Sequence, residues 1–167
     1  MSDIPSLASL WAAVAAAVGA LAAAIVAVYQ ASLTRLTLGA DLIMKLEDRF
    51  EEPEFMKKRK RAAKALKAVS QTNKGDIEDV LDFFETLGLL VRRRALDPEL
   101  AWSSFFYWLH GYYRWAETFI VDQQRLFPNR YRDVVRLHES LLTVELDKEN
   151  LNEAEWDGFL NEEAGEL

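Results

Sequence analysis

The chain has no cysteine, which excludes disulfides, thiolate nucleophiles and cysteine-ligated zinc or iron–sulfur centres at once. That absence fits a reducing compartment without requiring one. Proline and glycine are scarce, at four and seven of 167 residues, which argues against a turn-rich all-β fold or a disordered linker chain. Histidine occurs twice, in no H-E-x-x-H or E-x-x-H spacing, so no metal site is expected. No Gly-rich phosphate loop, no G-x-S-x-G and no dinucleotide fingerprint occurs, and no cofactor is expected. Net positive charge is missing too: the chain carries −7, which argues against a nucleic-acid partner that must neutralise phosphates.

The acidic excess is uneven. Residues 1–94 carry 14 Lys/Arg against 12 Asp/Glu, whereas residues 95–167 carry 6 against 15. Charge is absent altogether from Ile4 to Thr34. Within that run Leu7–Tyr29 is the more apolar part, and as a helix it would be roughly 35 Å long, enough to cross a ~30 Å hydrocarbon core with some tilt. About half of it is alanine, so insertion rests on Leu10, Val14, Val18, Leu21, Ile25, Val26 and Val28. A signal peptide is the weaker reading, because Met1–Pro5 holds an acid and no base. A core helix apolar all round needs more covering chain than remains. A membrane span is the expectation. Arg35, Lys45, Arg49 and the run Lys57–Arg61 all follow it, which predicts a short N-terminus outside and the rest on the cytoplasmic face of the inner membrane. Ala15, Gly19, Ala23 and Ala27 recur at four-residue spacing, a small-residue face suited to helix–helix association and a homo-oligomer.

Everything after the span reads as helix, giving an all-α expectation: one N-terminal transmembrane helix running into a bundle of about five helices. The expected divisions are 1–34 for N-terminus and span, 35–147 for the bundle and 148–167 for an acidic C-terminal helix or tail. Tyr29, Leu33, Leu36, Ala40, Ile43 and Phe50 fall near 3–4 spacing, either a short coiled-coil stalk or the first bundle helix. Pro53 ends that helix and starts another, running to about Val69. Asp76 is expected to cap a third helix with the stripe Ile77, Val80, Leu81, Phe84, Leu87 and Val91. Asp97–Pro98–Glu99 is a strong helix start for a long fourth helix to about Leu126, which "FPNR" breaks. A fifth covers about Tyr131–Leu146. Asn152, with Glu155 three residues on, opens a short acidic one to about Asn161.

The stretch "VLDFFETLGLLVRRRALDPELAWSSFFYWLHGYYRW" resembles the bacterial domain of unknown function 4760 family. The resemblance is carried by Phe-Phe-Glu-x-Leu-Gly at Phe83–Gly88, the basic residues after it, then Leu-Asp and a Trp/Tyr-rich helix. It covers about residues 1–145 and implies a membrane-tethered helical domain. It brings no catalytic residue with it.

Candidate interaction residues cluster on the aromatic helix. Trp102, Phe105, Phe106, Leu109, Tyr112, Tyr113, Ala116 and Phe119 form a core stripe, while Trp108 and Trp115 sit off it. Aromatics on two faces mean a helix packed on both sides or one that presents a face to a partner. His110, Arg114 and Glu117 share one edge and are either a polar patch or a cryptic acid–base site. Lys57, Lys60, Arg61 and Lys64 form a basic face that solvent, anionic membrane lipid or the acidic C-terminal stretch would satisfy. Glu78, Asp82 and Glu85 share a solvated edge of the third helix. The function expected from all this is a membrane-tethered interaction or scaffold protein with an unidentified protein partner. A small membrane enzyme or defence-type effector using His110, Arg114 and Glu117 is the alternative.

Overall fold

The computed structural model describes residues 7–68, 74–147 and 156–165, and the side chains among them except those of 7–15, 18, 31–36, 146 and 147. It contains α1 (Leu7–Glu51), α2 (Pro53–Lys67), α3 (Lys74–Arg92), α4 (Pro98–Leu126), α5 (Arg132–Asp147) and α6 (Phe159–Ala164), with no strand among the described residues. The all-α expectation therefore holds. The chain divides into two compact units, Met1–Leu38 and Gly39–Leu167.

The first unit is the N-terminal part of α1. Its described side chains between residues 16 and 30 are exposed, Leu21, Ile25, Val26, Val28 and Tyr29 among them. Among the described residues no helix is long and apolar enough to cross a membrane. The span expected over Leu7–Tyr29 falls in large part on side chains outside the described set, and the expectation is carried by the sequence alone.

The second unit is a bundle of the C-terminal part of α1 with α2–α6. Of the two readings of the post-span helix, joining the bundle is the one observed: Ile43, Leu46 and Phe50 are buried. Phe50 lies at the centre of an aromatic core, with Phe55, Phe83, Phe84, Phe105 and Trp108 at centroid distances of 5.0–6.0 Å. Tilted and edge-on ring pairs dominate that core, the geometry that brings the positive ring edge to the negative face.

Helix boundaries follow local chemistry. Pro53 sits in the first turn of α2, where its missing N–H costs nothing. Asp97 caps α4 by accepting the Glu99 N–H at 2.8 Å. Asp76 does not cap α3. That helix starts two residues earlier, at Lys74, and the Asp76 carboxylate is drawn instead into a two-bond pair with Arg61 at 2.7 and 2.8 Å. At the other end of α3 the Ala95 N–H reaches Leu90 and the Arg94 N–H reaches Val91, the Schellman pattern, with Arg94 in the left-handed region that glycine usually fills. The capping residues expected for the last helix, Asn152 and Glu155, lie outside the described residues. The observed α6 begins at Phe159 and closes on Gly165 at φ 70°.

The acidic C-terminal segment is part of the core. Trp156, Phe159, Leu160 and Ala164 are all buried.

Candidate functional site

The long helix α4 buries aromatics on two sides, as its sequence suggested. Phe105, Leu109 and Tyr112 belong to the central core, and Tyr107 meets Trp156 and Phe159 of the C-terminal segment at 5.2 and 5.5 Å. Gly111 makes that docking possible, since a Cβ there would meet the Phe159 ring at 2.5–2.6 Å.

Below this contact lies a buried ionic network that sequence reading missed. Arg59, in the middle of the basic run, points inward: its Nε donates to Glu163 Oε1 at 2.6 Å and its Nη1 to the Phe50 carbonyl at 3.2 Å. The guanidinium lies 3.8 Å from the Phe50 ring centroid and 5.5 Å from that of Trp108. Both charged side chains are about nine-tenths covered. The Tyr112 hydroxyl is 3.0 Å from Glu163 Oε1 and 3.0 Å from the Arg59 carbonyl oxygen, so its single proton has two acceptors. Burial first, and then the Glu163 charge, push this phenol well above its ordinary pKa. The signal was present: Phe55, Arg59, Ala62 and Leu66 follow i, i+4, i+7, i+11, which puts Arg59 on the apolar face.

His110 is paired across helices with His138 of α5, Nδ1 to Nε2 at 3.0 Å. Tyr113 stacks on His138 at 3.9 Å, and Trp156 covers His110 at 4.5 Å. Burial, and then repulsion from His110, lower the His138 pKa to about 4. An unfolded histidine titrates near 6.5, so the unfolded chain takes up the proton first as pH falls. His138 therefore leaves stability intact above about pH 6.5 and removes about 2 kcal/mol between pH 7 and pH 5. Urea midpoints at the two pH values measure this loss, and His138→Gln, which can still donate to His110, is expected to remove most of it. Asp82 and Glu85, whose carboxyls burial pushes up, act in the opposite sense, so the difference between wild type and variant isolates the histidine.

The Phe83–Gly88 motif has a physical explanation. Phe83, Phe84 and Leu87 fill the core. Glu85 accepts the Val134 N–H at 2.8 Å and so caps the start of α5 from another helix. Gly88 lies against the Asp133 backbone, and Arg92 one turn on holds the Asp133 carboxylate with two bonds at 2.8 and 3.0 Å. The motif is a socket for the N-terminus of α5.

The remaining candidates are spread out. Arg114 reaches Asp157 at 3.5 Å, and Glu117 is exposed. One His110 ring nitrogen, Nδ1, is held against His138. Trp115 is 42% exposed, whereas Trp108 is half-buried against Phe50. Trp108 also lines an open cleft of about 350 Å³ between α1 and α4, with Phe50, Phe105 and the carboxylates Glu47, Asp48 and Glu51. On α2, Lys57 pairs with Glu54, Lys58 with Asp79 and Arg61 with Asp76, while Lys60 and Lys64 are exposed. Glu78 is 3.3 Å from Arg130. Gly19, Ala23 and Ala27 are exposed, and the Ala15 side chain lies outside the described residues. Among the described residues no three His, Asp or Glu side chains are placed to hold a metal.

These features define a small all-helical protein: an exposed apolar N-terminal helix runs into a bundle organised around one aromatic helix. The chain belongs to the family described as Domain of unknown function (DUF4760), whose model matches residues 13–141. The match takes in the Phe83–Gly88 socket, Arg59 and both histidines, and stops short of the C-terminal segment that completes the Arg59 network. No curated protein and no solved structure matches the chain.

Proposed function

We propose that the protein is a membrane-tethered helical interaction module that acts through protein contacts rather than catalysis. The first part of α1 spans the inner membrane with its N-terminus outside, and the bundle projects into the cytoplasm. The carrying observation is the exposure of α1: Leu21 is 68% exposed, Ile25 63% and Val28 71%, with Ala and Gly around them and no charge on any face. A contiguous apolar surface of this kind requires lipid or another protein against it. The charge-free run from Ile4 to Thr34 extends that surface to spanning length in the sequence, and the basic residues all follow it.

Carbonate extraction of membranes, together with protease added to intact spheroplasts, tests this reading. The full chain is expected to stay in the membrane pellet with its C-terminal half protected. A chain released at high pH, or digested from outside, would refute it.

A further inference from the structure

Two arginines of the bundle sit where local energetics disfavour them. Arg94 follows α3 with φ 57°, in the left-handed region where glycine is the strain-free choice. Arg132 opens α5, and a cation at a helix N-terminus is opposed by the helix dipole. Neither is held there by a partner. Arg93, Arg94, Arg132 and Arg136 are exposed and make no ion pair or side-chain hydrogen bond among the described residues. The fold nevertheless gathers them. Arg92 clamps the Asp133 carboxylate and Gly88 lies against the Asp133 backbone, which sets the end of α3 beside the start of α5. Arg132 and Arg136 share one side of α5, and Leu89, 39% exposed, shares one side of α3 with Arg93.

The place of this face in the chain selects its occupant. The second compact unit begins at Gly39, and a Cβ there would meet the carbonyl oxygen of Ala95, the residue after Arg94, at 3.8 Å. Five peptide steps separate Gly39 from Thr34, where the charge-free run ends. Whatever path they take, those steps reach at most about 18 Å. The α2 lysines belong to the other end of α3: Lys58 pairs with Asp79 and Arg61 with Asp76, in its first turns, whereas Arg92–Arg94 follow its last. We propose that the arginine face docks on anionic phospholipid headgroups of the membrane to which the chain is tethered. A guanidinium fork meets two phosphate oxygens at once, which suits arginine to this surface better than lysine. A chain of net charge −7 is repelled by an anionic surface as a whole, so docking depends on this local excess of positive charge. The proposal rests on the tethering reading, which puts the membrane within reach.

Fluorescence quenching on the full chain in nanodiscs tests the docking, with a headgroup spin-labelled lipid as quencher. Because the chain has no cysteine, Thr86→Cys and Lys74→Cys each carry a single fluorophore, the first on the Leu89–Arg93 side of α3 and the second at its far end. With about a third of the lipid as phosphatidylglycerol, the label at position 86 is expected to be quenched about threefold more than the label at position 74. Phosphatidylcholine alone, or about 0.5 M salt, is expected to remove the difference. Arg93→Gln/Arg132→Gln is expected to lower the docked-to-undocked ratio about thirtyfold, and Lys60→Gln/Lys64→Gln to leave it unchanged. Arg94→Gly separates docking from folding: it is expected to raise the melting midpoint, by relieving the left-handed arginine, and to lower the ratio about fivefold. Equal quenching in neutral lipid, an equal loss from the lysine variant, or undiminished docking of Arg94→Gly overturns the proposal. Co-elution with the discs is scored separately. A chain that leaves the discs sinks the tether and the docking with it, and an embedded chain whose label at position 86 ignores lipid charge sinks the docking alone.

Discussion

Replacing Glu163 with alanine is expected to cost about 3–5 kcal/mol, the range for removing one partner of a buried ion pair. Loss of its carboxylate strips Arg59 of a 2.6 Å partner and leaves the guanidinium covered, with only the Phe50 carbonyl and two aromatic faces for company. Tyr112 keeps one acceptor, the Arg59 carbonyl, so the cost falls on the arginine rather than the phenol. For a bundle of this size the change is a fall of about 10 °C or more in melting midpoint. The loss also has a place. Glu163 lies on α6, so the C-terminal segment lifts first, exposing Trp156, whose fluorescence reads the change. A companion variant separates charge from packing. Arg59→Met with Glu163→Leu removes both charges and keeps volume, and is expected to recover most of the stability. A double variant as unstable as Glu163→Ala would show that the pair does more than compensate its own burial.

The same network shows where the sequence was readable and where it was not. Helix starts that depend on one or two residues were legible, because Pro53 and the Asp97–Pro98 pair act on their own backbone. Core stripes were legible for the same reason: Ile77, Val80, Leu81, Phe84 and Leu87 are buried as their spacing required. Asp76 failed as a cap because Arg61, fifteen residues earlier, offers its carboxylate a better partner than the helix end does. By composition the basic run looks like one solvated face, yet its arginine at 59 follows the apolar register of α2. The acidic C-terminal segment was misleading in the same way. Its net charge hides Trp156, Phe159, Leu160 and Glu163 at i, i+3, i+4 and i+7, an inward face that carries the one acid Arg59 needs. The pairing of His110 with His138 joins residues 28 positions apart on different helices, and no local pattern encodes it. On the candidate site, the sequence located the aromatic helix and the basic face. It did not distinguish charges satisfied inside the bundle from those left over, because that distinction is made only by tertiary contacts.

Gly88→Ala is the second substitution with a large expected effect, and its cost comes from backbone against backbone. A Cβ at position 88 would lie 2.8 Å from the Asp133 carbonyl carbon and closer still to its oxygen. Neither atom can swing aside as a side-chain end can, so α3 and α5 must separate. Separation pulls the Val134 N–H from Glu85 and Asp133 from Arg92, the two contacts that seat the start of α5. Overpacking alone costs about 1–3 kcal/mol, and loss of the cap places the total at the top of that range, about 3 kcal/mol. Gly111→Ala is the informative comparison. Its Cβ would meet the Phe159 ring, a side chain on a short terminal helix, so the segment can yield without disturbing α3 or α5. It is expected to loosen the C-terminal segment and spare the rest. Gly75→Ala, with nothing within 4 Å, serves as the neutral control in the first turn of α3. Hydrogen exchange reads all three: Gly88→Ala deprotects α3 and α5 together, Gly111→Ala deprotects α6 alone, and Gly75→Ala leaves both patterns as they are. If Gly88→Ala melts with the wild type, the helices are not held at the spacing that this motif was assigned to enforce.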